Sequence, residues 1–414
     1  MRYKLSRYNY CIQREHTIYV CNFFSGAFIQ LNSMEYEKIF CEKSFEYDNE
    51  LCSELVSNGI LIPFYANEKQ QIDKKRAKYI LENNTSSFRI LPTWRCNARC
   101  YYCYEYNRNI DMDKETAQQV IEYIVSKSAN KYVNVQWFGG EPLLNIEIID
   151  YITDQLTQRL GNRFSSSMIT NASLVDENIA EKMKEKWNLQ SVQVTLDGTK
   201  EEYERRKNYS FIGSFDKVME NIDIMCSKGI KIFIRINYDN NNYRDILKLI
   251  DILSQKYSNI NNVFVYAHPI FESIKCSFTG IATVDIWRQI NDKLISSGFL
   301  NNKKVFDLSL RSGKCSACQS ESGYVIDPEG KIFKCTMATN NDKECIGTVW
   351  SGEENIVSLD RWCDIGLKHE CEECIFLPLC QGGCKAGELG YSSEWCFMSN
   401  DKMKIILDKK IEDL

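Results

Sequence analysis

Between residues 88 and 275, six strand-like apolar runs alternate with five helical patterns. The runs are SFRILPT, VNVQWF, SSMIT, QSVQVTL, KIFIRINY and NVFVYAHPI. Between them lie DKETAQQVIEYIVSKSA, NIEIIDYITDQLTQRL, DENIAEKMKEKW, FDKVMENIDIMCSKG and YRDILKLIDILSQKY. Strands separated by helices pair in parallel, which predicts an α/β fold around a parallel sheet. Chemistry in such folds gathers at the carboxyl ends of the strands.

The flanking regions have a different texture. Residues 1–80 begin with short alternating segments, RYNYCIQ, HTIYVCNFF and AFIQLN, broken at Ser25–Gly26. Two helical patterns follow, SMEYEKIFCEK and NELCSELVSNG, with Gly59 as the C-cap of the second, and then the strand ILIPFY. Three strands followed by helices predict a winged-helix-like module, joined onward by the charged helix NEKQQIDKKRAKYILENN. Residues 81–275 form the α/β unit. From 276 to 414 the segments shorten and cysteines crowd together, so metal ligation is expected to supply the stability that a small core cannot.

A chain of 414 residues suits two or three domains, and 44% hydrophobic with 26% charged residues is a globular balance. The net charge of −5 gives no electrostatic case for a nucleic-acid partner. No apolar run reaches membrane-spanning length, and MRYKLSRYNYCIQREH lacks the apolar core of a signal peptide, so the expected location is cytoplasmic. In a reducing compartment, 19 cysteines point to metal ligation rather than disulfides.

Directly past the first strand comes CNARCYYC, placing Cys96, Cys100 and Cys103 on one short arc. A structural zinc site uses four ligands and a disulfide two, so three thiols suggest a metal centre with one open position. A zinc knuckle short of one ligand is the competing reading. CNARCYYC resembles the signature of radical S-adenosylmethionine (SAM) enzymes, and Tyr102 before the last cysteine fits it. The resemblance implies that the three cysteines hold a [4Fe–4S] cluster whose fourth iron takes the amino and carboxylate groups of SAM.

The ends of the later strands extend the resemblance. FGGEPLL, with Gly139, Gly140, Glu141 and Pro142, looks like the family's GGEP motif, which contacts the methionyl amino group. Thr170 and Asn171 in TNAS match its polar strand end. VTLDG resembles SxDG, with Thr195 in place of serine and Asp197 near the ribose. On the fifth strand Arg235 and Asn237 are further candidates, since a guanidinium there can pair with the SAM carboxylate. His268, at the sixth strand end, reads as a packed imidazole.

Toward the C-terminus, CEECIFLPLCQGGC carries Cys371, Cys374, Cys380 and Cys384; Cys318 and Cys335 precede it and Cys396 follows. This is similar to the seven-cysteine pattern of the SPASM domain, an appendage of peptide-modifying radical SAM enzymes. The resemblance implies two auxiliary [4Fe–4S] clusters: Cys318, Cys335 and Cys384 on the nearer, and Cys371, Cys374, Cys380 and Cys396 on the farther. Cys315 either closes the nearer cluster or leaves it an iron open to a substrate thiolate. A zinc-ribbon reading of the CxxC pairs is the physical alternative. Cys11, Cys21, Cys41, Cys52 and Cys226 read as buried small hydrophobes.

Taken together, the resemblance implies a maturase of ribosomally made peptides: a partial (β/α)6 barrel with an N-terminal recognition domain and a C-terminal SPASM domain. A leader peptide would add as a strand to the edge Ala27–Asn32, beside the helix around Leu51–Asn58. The expected partners are that precursor peptide and a flavodoxin- or ferredoxin-type reductant. The expected chemistry is hydrogen abstraction by a 5′-deoxyadenosyl radical, giving a cysteine thioether as in sactipeptide or ranthipeptide maturases. Carbon–carbon crosslinking of the streptide type and, from another class, iron–sulfur electron transfer without SAM are the alternatives.

Overall fold

The computed structural model describes residues 2–41, 50–81, 84–105, 107–271, 282–300, 322–393, 396 and 399–412. Six parallel strands form its centre: β6 (Thr85–Ile90), β7 (Tyr132–Trp137), β8 (Phe164–Thr170), β9 (Leu189–Leu196), β10 (Ile232–Tyr238) and β11 (Val263–Pro269). They pair in chain order, as the sequence alternation predicts. Each strand alternates sharply: in β10, Ile232, Ile234 and Ile236 are fully buried, while Phe233 and Arg235 between them are only half-buried. Fully burying each isoleucine is worth about 1.5–3 kcal/mol, which fixes the register of the strand.

The helices cover the isoleucine-bearing face. They include α4 (Lys114–Ser128), α5 (Ile146–Leu160), α6 (Glu177–Glu181), α8 (Ser214–Ser227) and α9 (Tyr243–Tyr257). α9 shows why: Ile246, Leu249, Ile250, Leu253 and Tyr257 recur at helical spacing and are all buried in the common core. α4 starts where the Asp113 side chain accepts from Thr116 N at 2.8 Å. Between β9 and β10 stands a helix that the apolar periodicity does not announce. α7 (Lys200–Lys207, KEEYERRK) carries no apolar stripe, so its sequence is indistinguishable from a solvated loop.

The sheet runs on past β6. β12 (Gly323–Ile326) pairs parallel with β6, and β13 (Lys331–Phe333), β14 (Gly347–Thr348) and β15 (Gly352–Glu353) follow antiparallel. Beyond it, the buried carboxylate of Glu344 gathers Trp362 Nε1 at 2.7 Å and Ser358 Oγ at 3.2 Å, together with Arg361 and Tyr391. One ionised acceptor thus organises a region with little apolar core.

At the N-terminus, β2 (Asn9–Arg14), β3 (Thr17–Asn22) and β4 (Phe28–Asn32) form an antiparallel sheet; β1 (Tyr3–Leu5) pairs with β5 (Leu61–Pro63). One face, with Ile18, Val20 and Leu31, packs on Leu55 of α2 (Glu50–Ser57) and on Ile60 and Leu61. The other, with Ile12 and Cys21, packs with Phe23 on Phe376 and Leu377 and on Met403 and Leu407 of the last helix, Asn400–Glu412. Phe23 and Phe376 lie 5.4 Å apart between ring centroids, and Arg7 pairs with Glu373 at 2.8 Å. The module is therefore seated on the cysteine-rich segment.

Candidate active site

The cysteine loop leaves β6 and folds back over the carboxyl ends of β7 to β10. Cys96, Cys100 and Cys103 are free thiols that line one cavity of about 270 Å³, with Trp94, Tyr101, Glu105 and Gly140 around it. Burial pushes the Cys96 thiol up to about 12, with the Glu141 charge adding to the rise. Among the described residues no three His, Cys, Asp or Glu side chains converge on a single ion. Thiols spread around a common cavity suit an extended cluster, whose irons are ligated separately, rather than one zinc ion.

The two glycines after β7 have a steric reason. A Cβ on Gly139, at φ +111°, would stand 2.6 Å from Thr93 O, and one on Gly140 would stand 2.1 Å from Arg95 O. Only glycine lets the two backbones meet, and they are joined there by Gly140 N to Thr93 O at 3.2 Å and Glu141 N to Arg95 O at 2.8 Å. The motif thus sets the position of the segment that delivers Cys96. Pro142 then opens a short 3₁₀ turn, where its missing N–H costs nothing.

Glu141 is fully buried. It accepts from Thr170 Oγ1 at 2.6 Å, Asn171 N at 2.8 Å and Leu143 N at 3.2 Å. Burial nevertheless raises its carboxyl to about 7, because those donors and the charge of Lys207 only partly compensate. A carboxylate so placed is suited to receive an ammonium. Asn171 also reaches the loop, donating to Asn97 Oδ1 at 2.8 Å.

A second network clamps the loop's aromatic pair. Tyr102 donates to Asp197 Oδ2 at 2.6 Å, and Asn237 donates to Asp197 Oδ1 and to Tyr102 OH, each at 3.1 Å. Lys207, buried at the end of α7, donates to Thr195 Oγ1 at 2.7 Å and Tyr102 OH at 3.0 Å, with Asp197 Oδ2 at 3.4 Å. Beside it, Arg206 pairs with fully buried Asp239 at 2.6 Å, and both hold the Tyr101 hydroxyl. Burial alone would raise the Asp239 carboxyl, but Arg206 and Tyr101 hold it below the usual range.

The structure therefore gathers Cys96, Cys100, Tyr102, Cys103, Gly139, Gly140, Glu141, Pro142, Thr170, Asn171, Thr195, Asp197 and Asn237 at one end of the sheet. Arg235 stands apart from that network: its Nη2 lies 3.0 Å from His268 Nδ1. Lys207 and Arg206 were not anticipated. Three consecutive cations, Arg205 to Lys207, closing a helix about ten residues after an Asp-Gly strand end were the available signal, but solvated helices end the same way.

Of the C-terminal cysteines, Cys335 and Cys384 pack against the same small core of Ala338, Trp362, Ala386 and Tyr391. Cys371, Cys374 and Cys380 lie on successive tight turns, with Cys374 N to Cys371 O at 3.2 Å and Leu377 N to Cys374 O at 3.1 Å. Cys396 is exposed. Cys315 and Cys318, like Cys276, lie outside the described residues.

Comparison with known proteins bears on the same segment. Residues 90–253 match the Radical SAM superfamily. An uncharacterized protein of Methanocaldococcus jannaschii is 42% identical over 95 residues, 22% of this chain and 32% of that protein, so the chain spans about a third of that relative's length. A cysteine-type anaerobic sulfatase-maturating enzyme of Clostridium novyi is 26% identical over 325 residues, covering 70% of this chain and 85% of that enzyme. Among solved structures, anSMEcpe with bound AdoMet has a TM-score of 0.63 at 17% identity, covering 79% of this chain and 97% of that one. Streptococcus suis SuiB bound to precursor peptide SuiA has a TM-score of 0.56 at 15% identity, covering 96% and 99%. Cysteine loop, glycine pair and mostly parallel sheet agree with these likenesses, and the family match covers residues 90–253 of the chain.

Proposed function

We propose that the protein is a radical SAM enzyme that matures a ribosomally made peptide, forming cysteine thioether crosslinks. The observation that carries the reading is the meeting of three free thiols, the buried carboxylate of Glu141 and the Tyr102–Asp197–Lys207 network at one strand end. In this reading Cys96, Cys100 and Cys103 hold a [4Fe–4S] cluster, Glu141 receives the methionyl ammonium, and Asp197 with Asn237 faces the ribose. Lys207, the buried cation at the loop, neutralises the methionyl carboxylate in place of Arg235. When bound, cluster and SAM supply reductive SAM cleavage and hydrogen-atom abstraction. The chain's own part is to hold SAM rigidly and keep the loop closed over it.

Residues 1–80 serve as the leader-recognition domain, 81–275 as the radical SAM unit and 276–414 as a SPASM region with two auxiliary [4Fe–4S] clusters. Among the described residues β4 pairs only with β3, and its other edge is where a leader strand would add. A flavodoxin- or ferredoxin-type protein would supply the electron in the cytoplasm. Support for a peptide substrate comes from the likeness to SuiB, solved with precursor peptide SuiA, and to anSMEcpe, solved with the Cp18Cys peptide. The likeness to the sulfatase-maturating enzyme keeps oxidation of a single cysteine as a second reading.

Anaerobic co-expression with a short cysteine-containing peptide encoded beside this chain, followed by mass spectrometry, tests the proposal. Loss of two hydrogens per event with thiols closed to alkylation is expected. The same loss with thiols still free would indicate carbon–carbon crosslinking, and replacement of a thiol by an aldehyde would indicate the sulfatase-type reaction.

A further inference from the structure

Arg235 occupies the sheet face turned away from the helices, beside Thr195 of β9 and Tyr266 of β11 in register. Its Nη2 lies 3.0 Å from His268 Nδ1. A guanidinium can only donate, so Nδ1 accepts from it in the Nε2-protonated tautomer. Nδ1 also lies 2.9 Å from Pro269 O, and in the Nδ1-protonated tautomer the ring donates there and leaves Arg235 Nη2 unanswered. Burial, reinforced by the positive charge of Arg235, lowers the imidazole to about 4, so the ring is neutral. Besides Arg235, the charge acting on that ring is another cation, Lys402.

Two features are unusual together. Arg235 Nε is buried with no hydrogen-bond partner. Among the described residues, no carboxylate lies within ion-pair distance of this guanidinium, in a chain whose net charge is −5. A buried, unanswered guanidinium donor beside a neutral imidazole suits a planar anion, and the guanidinium fork fits a carboxylate through two parallel bonds. Asn237, two residues further along the same strand, touches Tyr102 of the cysteine loop. Two residues of strand span about 6.6 Å, so a group held by Arg235 would lie within a side chain's reach of the reacting end.

We propose that Arg235 and His268 form a receptor for a carboxylate of the peptide substrate, an Asp or Glu side chain close to the residue that is modified. This rests on the peptide-maturase reading above and adds a sequence preference to it. The methionyl carboxylate of SAM is the other possible source of the same chemistry, although Lys207 already stands as the cation at the cysteine loop.

The probe is 13C-carboxyl-labelled N-acetyl-aspartate amide, titrated by NMR against the cluster-reconstituted full chain, with N-acetyl-asparagine amide as the neutral control. The wild type is expected to bind the aspartate probe and not the control, with Arg235→Gln weakening it at least tenfold. Arg235→Lys, which keeps the charge but loses the fork, should fall between them and shows that the effect is not misfolding. Saturating SAM is expected to leave the probe bound. Equal binding by wild type and Arg235→Gln would overturn the proposal, as would displacement of the probe by SAM, which would assign the guanidinium to the cofactor. Failure of the peptide-maturase reading would appear separately, as an unmodified co-expressed peptide from an enzyme that still binds the probe.

Discussion

Adding one methyl group at Gly140 should disable the site without removing any side chain that would hold the cluster or SAM. A Cβ there would stand 2.1 Å from Arg95 O and 2.7 Å from Trp94 O, backbone atoms that no rotamer change can move. The two segments would have to part by about 1 Å, an overpacking that costs roughly 1–3 kcal/mol. The separation also strains the two backbone hydrogen bonds joining them, worth about 0.5–1.5 kcal/mol each. The sum, roughly 2–6 kcal/mol, corresponds to SAM affinity at least about 30-fold weaker if holding SAM requires the native approach. Equilibrium dialysis of SAM against reconstituted Gly140→Ala, with iron counted per chain, reads the effect. Gly161→Ala is the control: nothing lies within 4 Å of its Cβ, so it strains only its own turn and should leave SAM affinity alone. Wild-type SAM affinity in Gly140→Ala would refute the idea that the glycine pair positions the cysteine loop.

Glu141 gives a pH signature. Its folded-state carboxyl sits at about 7, above the unfolded value of 4.5, so the folded chain holds an extra proton between them. The stability tied to this group is therefore present below about pH 4.5 and lost as pH rises through 7, by up to about 3 kcal/mol. The cofactor-free protein should melt lower at pH 7.5 than at pH 5.5, and Glu141→Gln should flatten the difference; an unchanged slope would contradict the assignment. Arg206→Met strands the Asp239 carboxylate in a fully buried setting and should cost about 3–5 kcal/mol. Adding Asp239→Asn should recover part of the lost melting temperature, and no recovery would mean that the pair is not what destabilises the variant.

The sheet was legible because its signal is repeated: six apolar runs, each followed by helical spacing, admit few arrangements. The cysteine loop and glycine pair were legible because their residue types have few uses at that spacing. α7 was not, because its job is to bury Arg206 and Lys207 against Asp239 and Asp197, and charges paired through space leave no period in the sequence. The separation of Arg235 from the loop was equally hidden: strand alternation gives the face a side chain occupies, but not which neighbour it meets there. Seating of the N-terminal sheet on Phe376 and the last helix depends on contacts more than 350 residues apart, such as Arg7–Glu373, which local patterning does not encode.

The most direct test is the electron paramagnetic resonance spectrum of the dithionite-reduced, iron-reconstituted protein before and after SAM, with the products analysed for 5′-deoxyadenosine. The account predicts a [4Fe–4S] signal that shifts when SAM is added, a shift abolished with the three-cysteine loop replaced by alanines, and release of 5′-deoxyadenosine. A signal indifferent to SAM, with no deoxyadenosine formed, would contradict it.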